Sequence, residues 1–181
     1  MRKMEVCILP LGEVEGQILA FLNEKLSKIF GSARILGRSE IPEHAFNHLR
    51  MQYNSTVILY SLPIPSRCDV VLAVLDADIY AEGLNFVFGE AELGGRRAII
   101  SLFRLKWGVT EAKEAEEKLK ERALKEAVHE IGHVLGLSHC PNRRCVMHFS
   151  NSLLDTDIKS WRFCEKCLRK LARKGLNLED A

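Results

Sequence analysis

Residues His129-Glu130-Ile131-Gly132-His133-Val134-Leu135-Gly136-Leu137-Ser138-His139 have the spacing H-E-x-x-H-x-x-G-x-x-H, and Cys140 follows directly. On a helix, residues four apart share a face, so His129 and His133 present their imidazoles to one metal ion. Glu130 is rotated by about 100° from His129. It flanks such a metal without ligating it, which is the place for a general base acting on water. Gly136 is the residue able to end the helix, because glycine takes the left-handed conformation at little cost. The chain then turns and brings back His139 as a third nitrogen ligand. Three histidines leave the fourth position of a zinc ion open, and an open position separates a catalytic zinc from a structural one.

Cys140, Cys145, Cys164 and Cys167 all follow this motif. Two close pairs, brought together from a distance, suit a tetrahedral four-sulfur zinc site whose closed shell makes it structural. The segment they occupy has no strand pattern, so a second zinc is expected to pin it. A redox role for Cys164-Glu165-Lys166-Cys167 is disfavoured by the two further cysteines close by. His139 and Cys140 are adjacent and serve different metals in this reading, which couples the two sites. Cys7 and Cys68 lie in or beside apolar runs and read as small buried apolar residues.

The elements that must position these groups read as alternating layers. Glu5–Pro10 is a strand buried on both faces. Ile18, Leu19, Leu22, Leu26 and Ile29 mark an amphipathic helix from Glu13 to Phe30, stopped at Gly31. Ala33–Gly37 is a second strand. Val57–Tyr60 suits a helix or a strand, and Asn54-Ser55-Thr56 as a cap favours the helix. Val70–Leu75 is the strongest strand. It ends at Asp76 and Asp78, expected to anchor their loop by local hydrogen bonds. Asn85–Gly89 reads as an edge strand and Ala98–Leu102 as a further strand. His44 and His48 read as surface residues. Thr110 caps a long helix over Glu111–Leu135, with Leu119, Ala123, Ala127, Ile131, Val134 and Leu135 facing inward. The metal motif occupies its last turns.

The chain has 181 residues, 47% of them apolar and 28% charged, as for one globular domain. The expectation is a single α/β (mixed α+β) domain over 1–181. Residues 1–138 supply the sheet and active-site helix, and 139–181 form a zinc-stabilised segment. A net charge of +2 is too small to imply a nucleic-acid partner by itself. No stretch of about 18 apolar residues is present to span a membrane. Glu5 before a short apolar run that Pro10 ends is no signal peptide, so a cytoplasmic chain starting near Met1 is expected. Arg143, Arg144, Lys159, Arg162, Lys166, Arg169, Lys170, Arg173 and Lys174 read as a solvated face, interrupted by Asp155, Asp157 and Glu165. The rival reading is a zinc-binding protein with little peptidase activity, gripping nucleic acid or protein through these basic residues.

The extended histidine motif, Cys140, the run Cys145-Val146-Met147 and the later C-x-x-C together resemble the archaemetzincin family, across roughly residues 129–167. Asp76–Tyr80 and Asn85–Gly89 are similar more loosely. The resemblance implies a compact metzincin-like fold with a twisted mixed sheet and a long active-site helix. It implies a zinc metallopeptidase with two zinc ions. His129, His133 and His139 hold the catalytic zinc, Glu130 is the base, and Cys140, Cys145, Cys164 and Cys167 hold the structural zinc. Met147 matches the family's Met-turn methionine, beneath the catalytic zinc without ligating it. Some metzincins have a tyrosine soon after that methionine. Here His148-Phe149 follow, and His148 reads as a turn residue. Aminopeptidase activity is attributed to some animal members, so the resemblance implies an aminopeptidase acting on short peptides as one expectation; the chain is also expected to be a monomer. A peptide would pair with the edge strand near Phe86–Glu90. If it presents a free amino terminus, Glu90, Glu92, Asp76 and Asp78 are candidates to meet the ammonium.

Overall fold

The first strand, β1 (Met4–Leu11), is apolar at successive positions because both of its faces are covered, as a computed structural model of the chain describing residues 3–178 makes plain. Val6 and Ile8 point into one buried cluster, while Cys7, Leu9 and Leu11 point into a second one on the opposite face. After β1 come helix α1 (Gly16–Phe30) and strand β2 (Gly31–Ile35). Two short strands, β3 (Phe46–Asn47) and β4 (Gln52–Asn54), lead into helix α2 (Ser55–Ser61). Asn54 caps α2 by accepting from the Val57 N–H at 3.1 Å, so the helical alternative holds for this stretch.

Strand β5 (Val70–Leu75) is wholly buried at the centre. Then follow β6 (Ile79–Tyr80), β7 (Gly89–Ala91), β8 (Arg97–Ser101) and the 23-residue helix α3 (Ala112–Val134). Helices α4 (Leu153–Ile158) and α5 (Glu165–Arg173) complete the order. The main sheet runs β2-β1-β5-β8-β7, parallel except for antiparallel β7 at its edge, and β3-β4-β6 form a small second sheet. The fold is mixed α/β. The larger buried cluster joins α1, α3 and one sheet face to Cys140, Cys145, Val146, Met147, Phe163 and Leu171. The segment after the histidine motif therefore shares the core of the sheet-bearing part.

Four expectations need correction. Cys7 and Cys68 are buried, but they are bonded to each other as a disulfide that ties β1 to the segment entering β5, not two separate thiols. The edge strand begins at Gly89 rather than ending there. The preceding residues are held elsewhere, with the Val87 N–H donating to the Ile79 carbonyl at 3.1 Å, and the chain joins β8 only afterwards. Asp76 and Asp78 are anchored by distant partners, Lys106 and Arg104, instead of local hydrogen bonds. Helix α3 is capped by Glu111, not Thr110. The Glu111 carboxylate accepts from the N–H groups of Lys113 and Glu114, and its negative charge suits the positive end of the helix dipole.

Candidate active site

Helix α3 carries Glu126, His129, Glu130 and His133 along one buried stripe, fixed by the packing of Ala123, Ala127 and Ile131 against the sheet. It ends as the glycine spacing requires. Gly136 has φ +91°, its N–H donates to the His133 carbonyl at 2.9 Å, and the Leu137 N–H reaches back to the Gly132 carbonyl at 2.9 Å. This paired closure turns the chain sharply and returns His139 to the other two histidines. The donor atoms of His129, His133 and His139 lie within 4.8 Å of one another.

The tautomers follow from the hydrogen bonds. Nδ1 of His129 lies 2.7 Å from the Val146 carbonyl oxygen, and Nδ1 of His133 lies 2.7 Å from that of Leu137. A carbonyl only accepts, so each ring carries its proton on Nδ1. Burial, reinforced at His129 by the nearby Lys159 charge, holds His129 well below the usual imidazole range, and burial lowers His133 and His139 as well. The rings are neutral. Their Nε2 atoms are then lone-pair nitrogens facing each other at 3.1 Å. Two acceptors at that distance repel unless a cation lies between them. Tetrahedral zinc, with Zn–N near 2.0–2.1 Å, separates its ligand nitrogens by about 3.3 Å, so the donor set fits zinc.

The four later cysteines also meet. Their sulfurs lie within 4.8 Å of one another, with Cys140 to Cys164 at 3.8 Å and Cys145 to Cys167 at 3.7 Å. These separations are far too long for disulfides. They match the edge of about 3.8 Å for a tetrahedron with Zn–S near 2.3 Å. Burial alone pushes the Cys164 thiol up, but the Cys167 backbone N–H and the neighbouring thiols outweigh it and bring Cys164 down to about 7. Burial pushes the Cys145 and Cys167 thiols up instead, so ligation by the whole set requires the charge of a bound metal to draw off their protons.

Met147 is fully buried and packs on α3 between the two helical histidines. A Cβ on Gly132 would fall 2.3 Å from the Met147 sulfur, so glycine is what lets this side chain under the helix. His148 is not part of the grouped histidine donors and places Nδ1 2.9 Å from the Cys140 carbonyl.

Glu130 is 5% exposed. Burial raises its carboxyl well above the usual range, Glu126 adds to this, and Lys159 opposes it. The histidine motif assigns Glu126 no role, and Lys159 is not on the solvated face expected for it. Their side chains instead form a buried ion pair at 3.2 Å, 3% and 0% exposed. Thr156 donates to Glu126 at 3.1 Å, and the Lys159 ammonium also lies 3.3 Å from the His148 carbonyl. The detectable signal was Glu126 standing four residues before Glu130, on the same face. Above the site a cleft of about 460 Å³ is lined by Gly89, Glu90 and Ala91 of β7, by the three histidines and by Phe149. Because the Phe88 carbonyl and the Glu92 N–H bond to β8, alternation turns the backbone groups of Gly89 and Ala91 away from β8, to the free edge.

Two histidines and a buried glutamate on one helix, with a third histidine returned by the turn after it, set under the edge of a mixed sheet, define a zinc metallopeptidase, and comparison with known proteins agrees. The chain belongs to peptidase family M54, the archaemetzincins, whose family model matches residues 12–173. It is 55% identical to an archaemetzincin of Methanocaldococcus jannaschii over 176 residues, 96% of each chain. The crystal structure of an archaemetzincin from Archaeoglobus fulgidus is similar with a TM-score of 0.83 at 49% identity, covering 92% of this chain and 99% of that one. That from Methanopyrus kandleri has a TM-score of 0.83 at 38% identity, covering 94% of each. Among the described residues no helix is long and apolar enough to cross a membrane.

Proposed function

We propose that this zinc metallopeptidase cleaves short peptides from a free amino terminus, with Glu130 as general base. His129, His133 and His139 hold the catalytic zinc, and Cys140, Cys145, Cys164 and Cys167 hold a second, structural zinc. The observation that carries the reading is the facing pair of lone-pair nitrogens, His129 Nε2 and His133 Nε2, at 3.1 Å beside the buried Glu130 carboxyl. Zinc, when bound, polarises the scissile carbonyl and acidifies water.

The protein's own groups do the rest. Glu130, raised by burial, accepts the proton of a water and passes one to the leaving amine. Hydrogen bonds from Nδ1 to Val146 and Leu137 hold the imidazoles in the ligating tautomer. Met147, packed under Gly132, supports the two helical histidines from below. A substrate strand pairs with the outward backbone groups of Gly89 and Ala91, at the C-terminal end of the Phe86–Glu90 stretch expected from the sequence and one residue beyond it. The chain acts as one domain over 1–181, as a monomer in the cytoplasm. The shared core of its two parts supports the first of these. Burial of Lys159 removes one cation from the basic face and weakens the nucleic-acid alternative.

The test is cleavage of a peptide library by zinc-loaded protein, after chelation, and after zinc is restored. Cleavage should vanish and return with zinc, and metal analysis should find two zinc ions per chain. Cleavage that survives complete zinc removal would contradict the reading.

A further inference from the structure

The acidic residues named from the sequence as candidates to meet an ammonium differ in what already holds them, and of these only Glu90 lines the cleft. Asp78 accepts from Arg104 Nε at 2.7 Å and Nη2 at 2.8 Å, Asp76 pairs with Lys106, and Glu92 pairs with Arg97 at 3.2 Å. Glu126 in the cleft wall is matched by Lys159 at 3.2 Å. Glu90 forms no ion pair with a lysine or arginine among the described residues. Its oxygens accept from neutral hydroxyls, Ser55 to Oε2 at 2.7 Å and Thr56 to Oε1 and Oε2 at 2.8 and 3.0 Å. These bonds fix the carboxylate without compensating its charge. Among the described residues, no lysine or arginine lines the cleft that Glu90 lines.

Position adds to this. Glu90 follows Gly89, whose backbone abuts Glu130 so closely that a Cβ there would lie 2.9 Å from the Glu130 carboxylate. A peptide laid along β7 therefore passes Glu90 within one residue of the level at which Glu130 acts. A fixed, charged acceptor next to the reacting bond selects a cationic donor, since charge-assisted hydrogen bonds are about twice as strong as neutral ones.

We propose that Glu90 is the cation-recognition residue of the cleft and binds a positive group of the substrate beside the scissile bond. That group is the α-ammonium of a free amino terminus or a lysine or arginine side chain. The inference rests on the peptidase reading only for where the scissile bond lies. A purely structural role, holding the start of α2 through Ser55 and Thr56, makes a different prediction: loss of the charge then affects all ligands alike.

Calorimetric titration of the zinc-loaded protein with hydroxamates tests this without turnover. One pair compares leucine hydroxamate with its N-acetyl form, and the other compares N-acetyl-lysine with N-acetyl-norleucine hydroxamate. Preference within the first pair identifies an amino terminus, and within the second a side chain. Wild type should favour at least one cationic form by about tenfold. Glu90→Gln, which keeps partners for both hydroxyls, should abolish that preference and leave affinity for N-acetyl-leucine hydroxamate unchanged, while Glu90→Asp should retain part of it. The same preference in wild type and Glu90→Gln, or no preference in wild type, would overturn the proposal. Peptide cleavage by wild type reports separately on the peptidase reading. Cleavage with no charge preference removes Glu90's role alone, and charge-selective binding without cleavage removes the peptidase reading alone.

Discussion

A Cβ built on Gly89 would lie 2.9 Å from both Cγ and Oε1 of Glu130, and 2.6 Å from the Ile99 carbonyl oxygen. The edge strand and the proposed base are in direct contact, and only glycine leaves room for both. Gly89→Ala must push Glu130 aside or distort β7. A displacement of about 1 Å can cost about 100-fold in rate. The expected outcome is a fall in kcat of that order with zinc content unchanged. A variant with wild-type kcat would show that the contact is not needed.

Glu126 and Lys159 should behave as a buried pair. Removing one partner leaves an uncompensated charge in the core, a loss of about 3–5 kcal/mol. Glu126→Leu and Lys159→Met made together remove both charges, and the double variant should be far less destabilised than the sum of the single ones. Denaturant unfolding of the four proteins measures this. Additive losses would mean that the 3.2 Å contact carries no coupling.

The two metal sites should also be linked. Cys140 follows His139, donates its N–H to the Met147 carbonyl at 2.9 Å, and has its own carbonyl within 2.9 Å of His148 Nδ1. The sulfur cluster thus ties the loop that delivers the third histidine. Cys164→Ser with Cys167→Ser should weaken zinc at the histidine site by about 10- to 100-fold, the range for lost supporting contacts. Competition with a chelator gives the affinity, and an unchanged value would refute the link.

Acid stability should depend on Asp157. Burial raises its carboxyl, but the hydrogen-bonded Arg122 guanidinium, at 2.8 and 2.9 Å, outweighs it and lowers the folded value. A depressed folded pKa stabilises the fold above the unfolded value of about 3.9, and that contribution disappears as pH falls through the folded value. Asp157→Asn should therefore have a lower Tm than wild type at neutral pH, and the gap should close on acidification below about pH 4. A gap constant across that range would contradict the assignment.

Much of the site was legible because its constraints are local. The i, i+4 histidines, the glycine stop and the third histidine are set by helix geometry and one turn, and the structure brings them together. The cysteines were readable as a group by their clustering. What escaped was set by distant pairing. Lys159 looked like one more surface cation because nothing near it in sequence announces Glu126, 33 residues earlier by number. Cys7 and Cys68 are 61 residues apart and meet only because β1 and β5 are neighbours. The short strands β3, β4 and β6 span only two or three residues each, too few to show a period. The edge strand was displaced in the reading because the apolar run Phe86–Phe88 suggests a strand, whereas the pairing with β8 starts at Gly89.

The most direct test of the account is peptide turnover by Glu130→Ala at equal zinc occupancy. Glu130 contacts Gly89 at the edge strand and directly follows His129, so its loss removes the proposed base while leaving all three histidines in place. The account predicts that zinc binding persists and that kcat falls by about 10²- to 10⁴-fold, the usual contribution of a positioned acid–base group. Turnover equal to wild type at the same zinc content would contradict it.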